Sequence, residues 1–118
     1  MQERPYQRLI VWQEAYQLCL KVYEYTRSFP DSEKFGLTSQ MRRSAYSVPI
    51  NLAEGNARKS KKERLQFFSI ASASLEELHC ECTLSQDLHY LNSETSSDLN
   101  SRIQRVGYLL AKFCSSLR

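Results

Sequence analysis

Between Leu99 and Leu117 the apolar residues Leu99, Ile103, Val106, Leu110, Phe113 and Leu117 recur at alternating steps of four and three. That spacing keeps one stripe of a helix apolar over about five turns, and such a stripe is stable only against other helices. Three further segments carry the same spacing. From about Leu9 to Ser28, Val11, Ala15, Leu18, Val22, Tyr25 and Phe29 form one seam, beside a second of Trp12, Tyr16, Cys19, Tyr23 and Thr26. Two adjacent seams make a face broader than one partner helix needs. Phe29-Pro30-Asp31 stops this helix, because proline lacks the donor and restricts the residue before it.

From about Thr38 to Asn56, Leu37, Met41, Ala45, Val48 and Leu52 form the second stripe, with Thr38 or Ser39 placed to cap its start. Pro49 lies inside it and predicts a kink or interruption near Tyr46. Asn51 is placed to satisfy the carbonyl that Pro49 frees, and Glu54 to pair with Arg43 or Arg58. Gly55-Asn56 tolerates a left-handed conformation and so predicts the helix end.

Ser60-Lys61-Lys62-Glu63 reads as a capping box opening a third helix that runs to about Leu91. Leu65, Phe68, Ser72, Leu75, His79 and Cys82 form one seam, and Phe67, Ala71, Ser74 and Leu78 its neighbour. The run 69–74 has small side chains that permit close helix approach. The polar stretch 92–97 is expected to connect to the fourth helix.

Breaks at Pro30, Asn56 and Asn92 join four long helices by three short turns. The expected fold is all-α: an antiparallel up-down-up-down four-helix bundle with helix 2 kinked or interrupted near Pro49, as one domain over residues 1–118. Only three glycines and three prolines argue against a fold of many short strands.

Charge is concentrated. Residues 42–64 hold Arg42, Arg43, Arg58, Lys59, Lys61, Lys62 and Arg64 against Glu54 and Glu63, a local +5, and leave −2 on the rest of a chain of net +3. These seven are the candidate nucleic-acid-binding residues: cations at a helix start neutralise phosphates, and the dipole and free N–H groups add to them. No stacking platform is evident beside them in the sequence, so backbone contact is expected rather than sequence readout.

Other chemistry finds little support. Glu76-x-x-His79 is half of a di-iron bundle pattern, but the second half is missing. On a helix, Cys80 and Cys82 are about 200° apart and do not chelate one ion. No nucleophile–base arrangement and no glycine-rich phosphate loop occurs. The chain therefore reads as a non-enzyme without metal or cofactor. His79 is expected as a hydrogen-bonded core or interface residue. Cys19 and Cys114 lie among apolar residues, as core fillers. No segment has the ~18 to 20 apolar residues of a membrane span, and the N-terminus has no apolar signal core, so a cytoplasmic protein with reduced thiols is expected. Seven tyrosines and the double seam of helix 1 favour self-association.

One further pattern joins these observations: Trp12, Tyr23, Thr26, Phe29-Pro30, Glu33, Phe35-Gly36-Leu37, Gln40, Arg43, Ser47-Val48-Pro49, Asn51-Leu52-Ala53-Glu54-Gly55, Arg58, Ser60, then Ala71 and Ser74-Leu75-Glu76-Glu77-Leu78. It resembles the four-helix-bundle family of 23S ribosomal RNA intervening-sequence proteins over nearly the whole chain. The combination, rather than any one piece, is specific. The resemblance implies a homopentameric ring. It also implies kinship with accessory subunits of diversity-generating retroelements, basic oligomers that contact a reverse transcriptase and nucleic acid. Partners implied are thus a second copy of the chain, RNA or DNA, and alternatively a protein such as a nucleic-acid enzyme.

Overall fold

The computed structural model describes residues 2–117. Four helices span α1 Ile10–Thr26, α2 Leu37–Ala57, α3 Lys61–Asp87 and α4 Ser93–Ser116. Short 3-10 turns at Pro5–Arg8 and Asp31–Glu33 precede α1 and α2. No strand occurs among the described residues. α1 packs on α2 and α4, and α3 packs on α2 and α4, with no diagonal pair in contact. This is the antiparallel up-down-up-down bundle that the four seams require. Its 43 Å long axis matches the roughly 40 Å expected for the 27 residues of α3.

The seams meet at the centre. Val11, Ala15, Leu18 and Val22 face Met41, Ala45, Val48 and Leu52, with Phe68, Ala71, Leu75, Leu78 and Cys82 from α3 and Leu99, Ile103, Val106 and Leu110 from α4. On α3 the core stripe combines the two expected seams: Ser72 and His79 are exposed, and Ala71 and Leu78 are buried in their place. His79 is therefore on the surface of the protomer rather than in its core. Cys19 is buried, and Cys114 packs against the core from its edge.

Pro49 does not interrupt α2, which runs unbroken from Leu37 to Ala57 with Pro49 buried in its stripe. Asn51 does not serve the carbonyl of Ala45, one turn before the proline. Its Nδ2 donates instead to the Ser47 carbonyl at 2.8 Å and to Ser47 Oγ at 3.0 Å. Ser47 Oγ also meets Ser74 Oγ at 2.8 Å, tying α2 to α3.

Gly55 does not end the helix by a left-handed turn; no glycine has positive φ. It lies buried inside α2, where an added Cβ would stand 2.6 Å from Phe68 Cε1 and 2.9 Å from Phe67 Cβ. Absence of a side chain lets α2 and α3 cross closely just before a three-residue loop, Arg58-Lys59-Ser60.

The start of α2 is capped from outside. Gly36 occupies the cap position without a side chain, and Glu33 Oε1 accepts the Leu37 N–H at 3.1 Å. Neither Thr38 nor Ser39 caps it; Ser39 Oγ donates back to the Gly36 carbonyl. A Cβ at Gly36 would meet Glu33 Oε1 at 2.7 Å, so the glycine makes room for the carboxylate. Glu33 Oε2 accepts from Tyr90 OH at 3.0 Å, and Tyr90 packs on Phe29 with ring centroids 5.3 Å apart.

α3 ends at Asp87, short of Leu91, because His89 adopts a left-handed conformation, φ 64°. Tyr90 N–H then reaches the Ser85 carbonyl and His89 N–H the Gln86 carbonyl, the two bonds of a Schellman closure. Asn92 caps α4 through Thr95 N–H at 2.8 Å, so most of the expected polar connector is helix.

Candidate nucleic-acid interface

The antiparallel topology brings the N-terminus of α1, the α2–α3 loop and the C-terminus of α4 to one end of the bundle. Ser60 opens α3 there, accepting Glu63 N–H at 3.1 Å as the capping box requires. Lys59, Lys61 and Lys62 extend from this corner, exposed and without an ion pair among the described residues. Arg58 lies against the Phe67 ring at 4.9 Å and approaches Glu54 at 3.9 Å, half exposed. Glu54 thus takes the Arg58 alternative. Arg64 donates from Nη2 to Asn56 Oδ1 at 3.2 Å, while its Nε is buried without a partner.

Arg42 and Arg43 do not join this group. They lie about 23 Å away along α2, toward the other end. Arg42 is built into the α1–α2 contact: its Nε donates to Thr26 Oγ1 at 2.9 Å, its Nη2 reaches the Tyr23 carbonyl, and its guanidinium stacks over the Tyr23 ring at 4.8 Å. There it neutralises the negative end of the α1 dipole. Arg43 pairs with Glu77 across α2–α3 and holds Gln40.

Three cations that sequence proximity missed belong to the basic end. Arg4 and Arg8 flank the Pro5–Arg8 turn, which packs on α2 as well as α1, and Lys112 sits one turn from the end of α4. Reading helix ends together, as an antiparallel bundle dictates, is the signal that finds them. Among the described residues Glu3, Glu54 and Glu63 are the carboxylates nearest this end, with Glu14 one turn into α1. At the opposite end Glu24, Asp31, Glu33, Asp87 and Glu94 outweigh Arg27, Lys34 and Arg42. The bundle is electrically polarised along its length.

Aromatic residues also gather at the basic end. Tyr6 meets Trp12 edge-on with centroids 5.0 Å apart, and Trp12 stacks on Tyr16 at 4.8 Å. Tyr6 reaches across to the end of α2, where it and Ala53, Asn56 and Ala57 line one cleft.

Thiol and carboxylate chemistry is subdued. Burial raises Cys19 to about 11 and, with Glu81 adding a smaller push, Cys82 to about 12, so neither forms a ready thiolate. Cys80 is exposed on the far side of α3 from buried Cys82. Among the described residues no three His, Cys, Asp or Glu side chains converge as metal ligands, and no helix is long and apolar enough to cross a membrane.

Residues 7–112 match the family model of 23S rRNA-intervening sequence proteins. The chain belongs to that family. A solved structure with this fold is a protein of unknown function from the S23 ribosomal protein family of Bacteroides thetaiotaomicron, with a TM-score of 0.80 at 18% identity, covering 89% of this chain and 98% of that one. At that identity the likeness concerns the bundle alone. No curated protein matches. Within the sequence pattern that carried the resemblance, Phe29-Pro30-x-x-Glu33 and Gly36 have a physical reading: a carboxylate that caps α2 and holds Tyr90. Gly55 of Asn51-Leu52-Ala53-Glu54-Gly55 has one too, as the crossing point of α2 and α3.

Proposed function

We propose that this intervening-sequence protein is a non-enzymatic, cytoplasmic, self-associating bundle that binds the phosphate backbone of RNA or DNA through its basic end. The observation that carries the reading is the uncompensated trio Lys59, Lys61 and Lys62 beside Arg58 and the start of α3. Exposed cations sit at the start of α3, where the helix dipole is positive, and anions favour that arrangement. Arg4 and Lys112 widen the surface, with Arg8 beside them in an exposed pair with Glu3 at 3.6 Å. Arg42 and Arg43 stay outside it, because their charges are spent on Tyr23, Thr26 and Glu77.

Self-association is supported by apolar exposure. Tyr46 and Ile50 lie one turn apart on the outside of α2, 42% and 49% exposed. The Ser47–Ser74 bond and the Gly55–Phe68 crossing bring Ile70 of α3 level with them. Ile10, Tyr16 and Leu20 are exposed on α1 as well, whereas α4 exposes only Tyr108 among its large hydrophobics. Side chains of this size on one flank fit a protein interface, and a ring would repeat the basic end around one rim.

Filter binding to structured RNA at about 50 mM salt tests the reading. Lys61→Glu with Lys62→Glu is expected to weaken binding at least tenfold with an unchanged melting temperature. Arg42→Ala is expected instead to lower the melting temperature. Full affinity in the double lysine variant, or no binding at low salt, contradicts the proposal.

A further inference from the structure

We propose that the cleft between the Pro5–Arg8 turn and the last two turns of α2 is a nucleotide site that takes one unpaired base of a single-stranded nucleic acid. This rests on the nucleic-acid reading above and adds to it a site and a strand preference. The cleft measures about 490 Å³ and is lined by Arg4, Tyr6, Ala53, Glu54, Asn56 and Ala57. That lies within the range of small-molecule sites, roughly 300–1,000 Å³.

Each wall has a chemistry that fits a nucleotide. Ala53 and Ala57, one turn apart, form a floor with nothing beyond Cβ to fill it. Tyr6 forms an aromatic wall. Its ring is held edge-on by Trp12, at 72° between planes, and Trp12 is held in turn by Tyr16, at 22°. A ring held by a neighbour that is itself held loses little freedom when a base stacks on it. Pro5 further restrains the backbone that carries Tyr6.

Polar groups flank the aromatic wall. Asn56 Oδ1 accepts from Arg64, which leaves its amide N–H groups to donate to a base. The Glu54 carboxylate supplies acceptors. Arg4 lines the cleft and makes no ion pair among the described residues, so its charge is available to a flanking phosphate. A purely apolar ligand would leave the Asn56 amide N–H groups without an acceptor. A duplex presents neither a free ring face nor an unpaired edge, so it does not enter. Packing of the N-terminal turn accounts for the Tyr6–Trp12 contact, but not for an open floor with a donor on one side and an acceptor on the other.

Fluorescence anisotropy with a labelled single-stranded RNA of about 12 nucleotides and the matching duplex tests the site. The wild-type protein is expected to bind the single strand more tightly. Tyr6→Ala is expected to lower single-strand affinity about tenfold and leave duplex affinity unchanged, while Tyr6→Phe binds as wild type. Ala57→Leu, which fills the floor from an exposed position without altering charge, is expected to act like Tyr6→Ala. Equal binding of the two forms with no effect of Tyr6→Ala or Ala57→Leu overturns the site while leaving backbone binding intact. So does an equal loss for both forms, which would mark Tyr6 as structural. Absence of binding by either form at low salt removes the underlying reading and this site with it.

Discussion

Gly55 and Gly107 both lie inside helices, where glycine costs about 0.5–1 kcal/mol relative to alanine. Their surroundings reverse the outcome of replacing them. A Cβ at Gly107 would rest 3.5 Å from Leu75 Cδ2, an ordinary contact, whereas one at Gly55 would drive into Phe68 and Phe67. Gly107→Ala is expected to stabilise by about 0.5–1 kcal/mol and Gly55→Ala to destabilise by about 1–3 kcal/mol, both by urea denaturation. Glu81 sets a pH dependence. Burial lifts its carboxyl from the ordinary 4.5 to about 7, Glu77 pushes the same way, and the Ser44 hydroxyl and Arg43 oppose them. The opposition is weak: Ser44 Oγ and Glu81 Oε1 are both buried without a well-formed hydrogen bond. A carboxyl raised in the folded state holds its proton longer there than in the unfolded chain. Stability from this group is therefore greatest below pH 4.5 and falls as pH rises through about 7. Glu81→Gln is expected to flatten that decline and to stabilise the protein at pH 8, read by denaturation at pH 5 and pH 8. Thiol reactivity follows burial: iodoacetamide is expected to modify Cys80 in the native protein and Cys19 and Cys82 only on unfolding, read by peptide mass mapping.

At the scale of elements, periodicity made the helices legible because burial in a bundle obeys the same 3.6-residue spacing that the residues display. α1 and α4 follow their expected seams closely. What spacing did not show was the means of ending and joining helices. Glu33 caps α2 from outside it, Gly55 serves packing rather than termination, and His89 supplies a left-handed turn where glycine is customary; each depends on partners from another part of the chain. His89→Gly removes the cost of a side chain at φ 64° and is expected to stabilise by about 1 kcal/mol, seen as a raised melting temperature. The candidate site was legible in part. The capping box at Ser60 placed Lys59, Lys61 and Lys62 correctly at a helix start. Proximity in sequence wrongly suggested that Arg42 and Arg43 join them, since one long helix carries its two ends far apart. Tyr6, Arg4 and Lys112 were out of view because only the folded topology brings them to the loop.

Across the whole molecule, charge and apolar exposure are arranged differently. Positive charge collects at one end of a 43 Å bundle, while exposed apolar residues lie along its sides, Tyr46 and Ile50 on α2 among them. Association through the α2 flank would align the basic ends of several copies. Light scattering is expected to give a multiple of the 13.8 kDa protomer, five-fold by the family resemblance, and Ile50→Glu to give the monomer with helicity unchanged. Binding of nucleic acid by the basic end is the claim on which the rest depends, and the slope of log affinity against log salt concentration measures it most directly. With about five phosphates neutralised per protomer the slope is expected near −4, falling toward −2 when Lys61 and Lys62 are both replaced by glutamate. A slope near zero, or one that the lysine replacements leave unchanged, would contradict it.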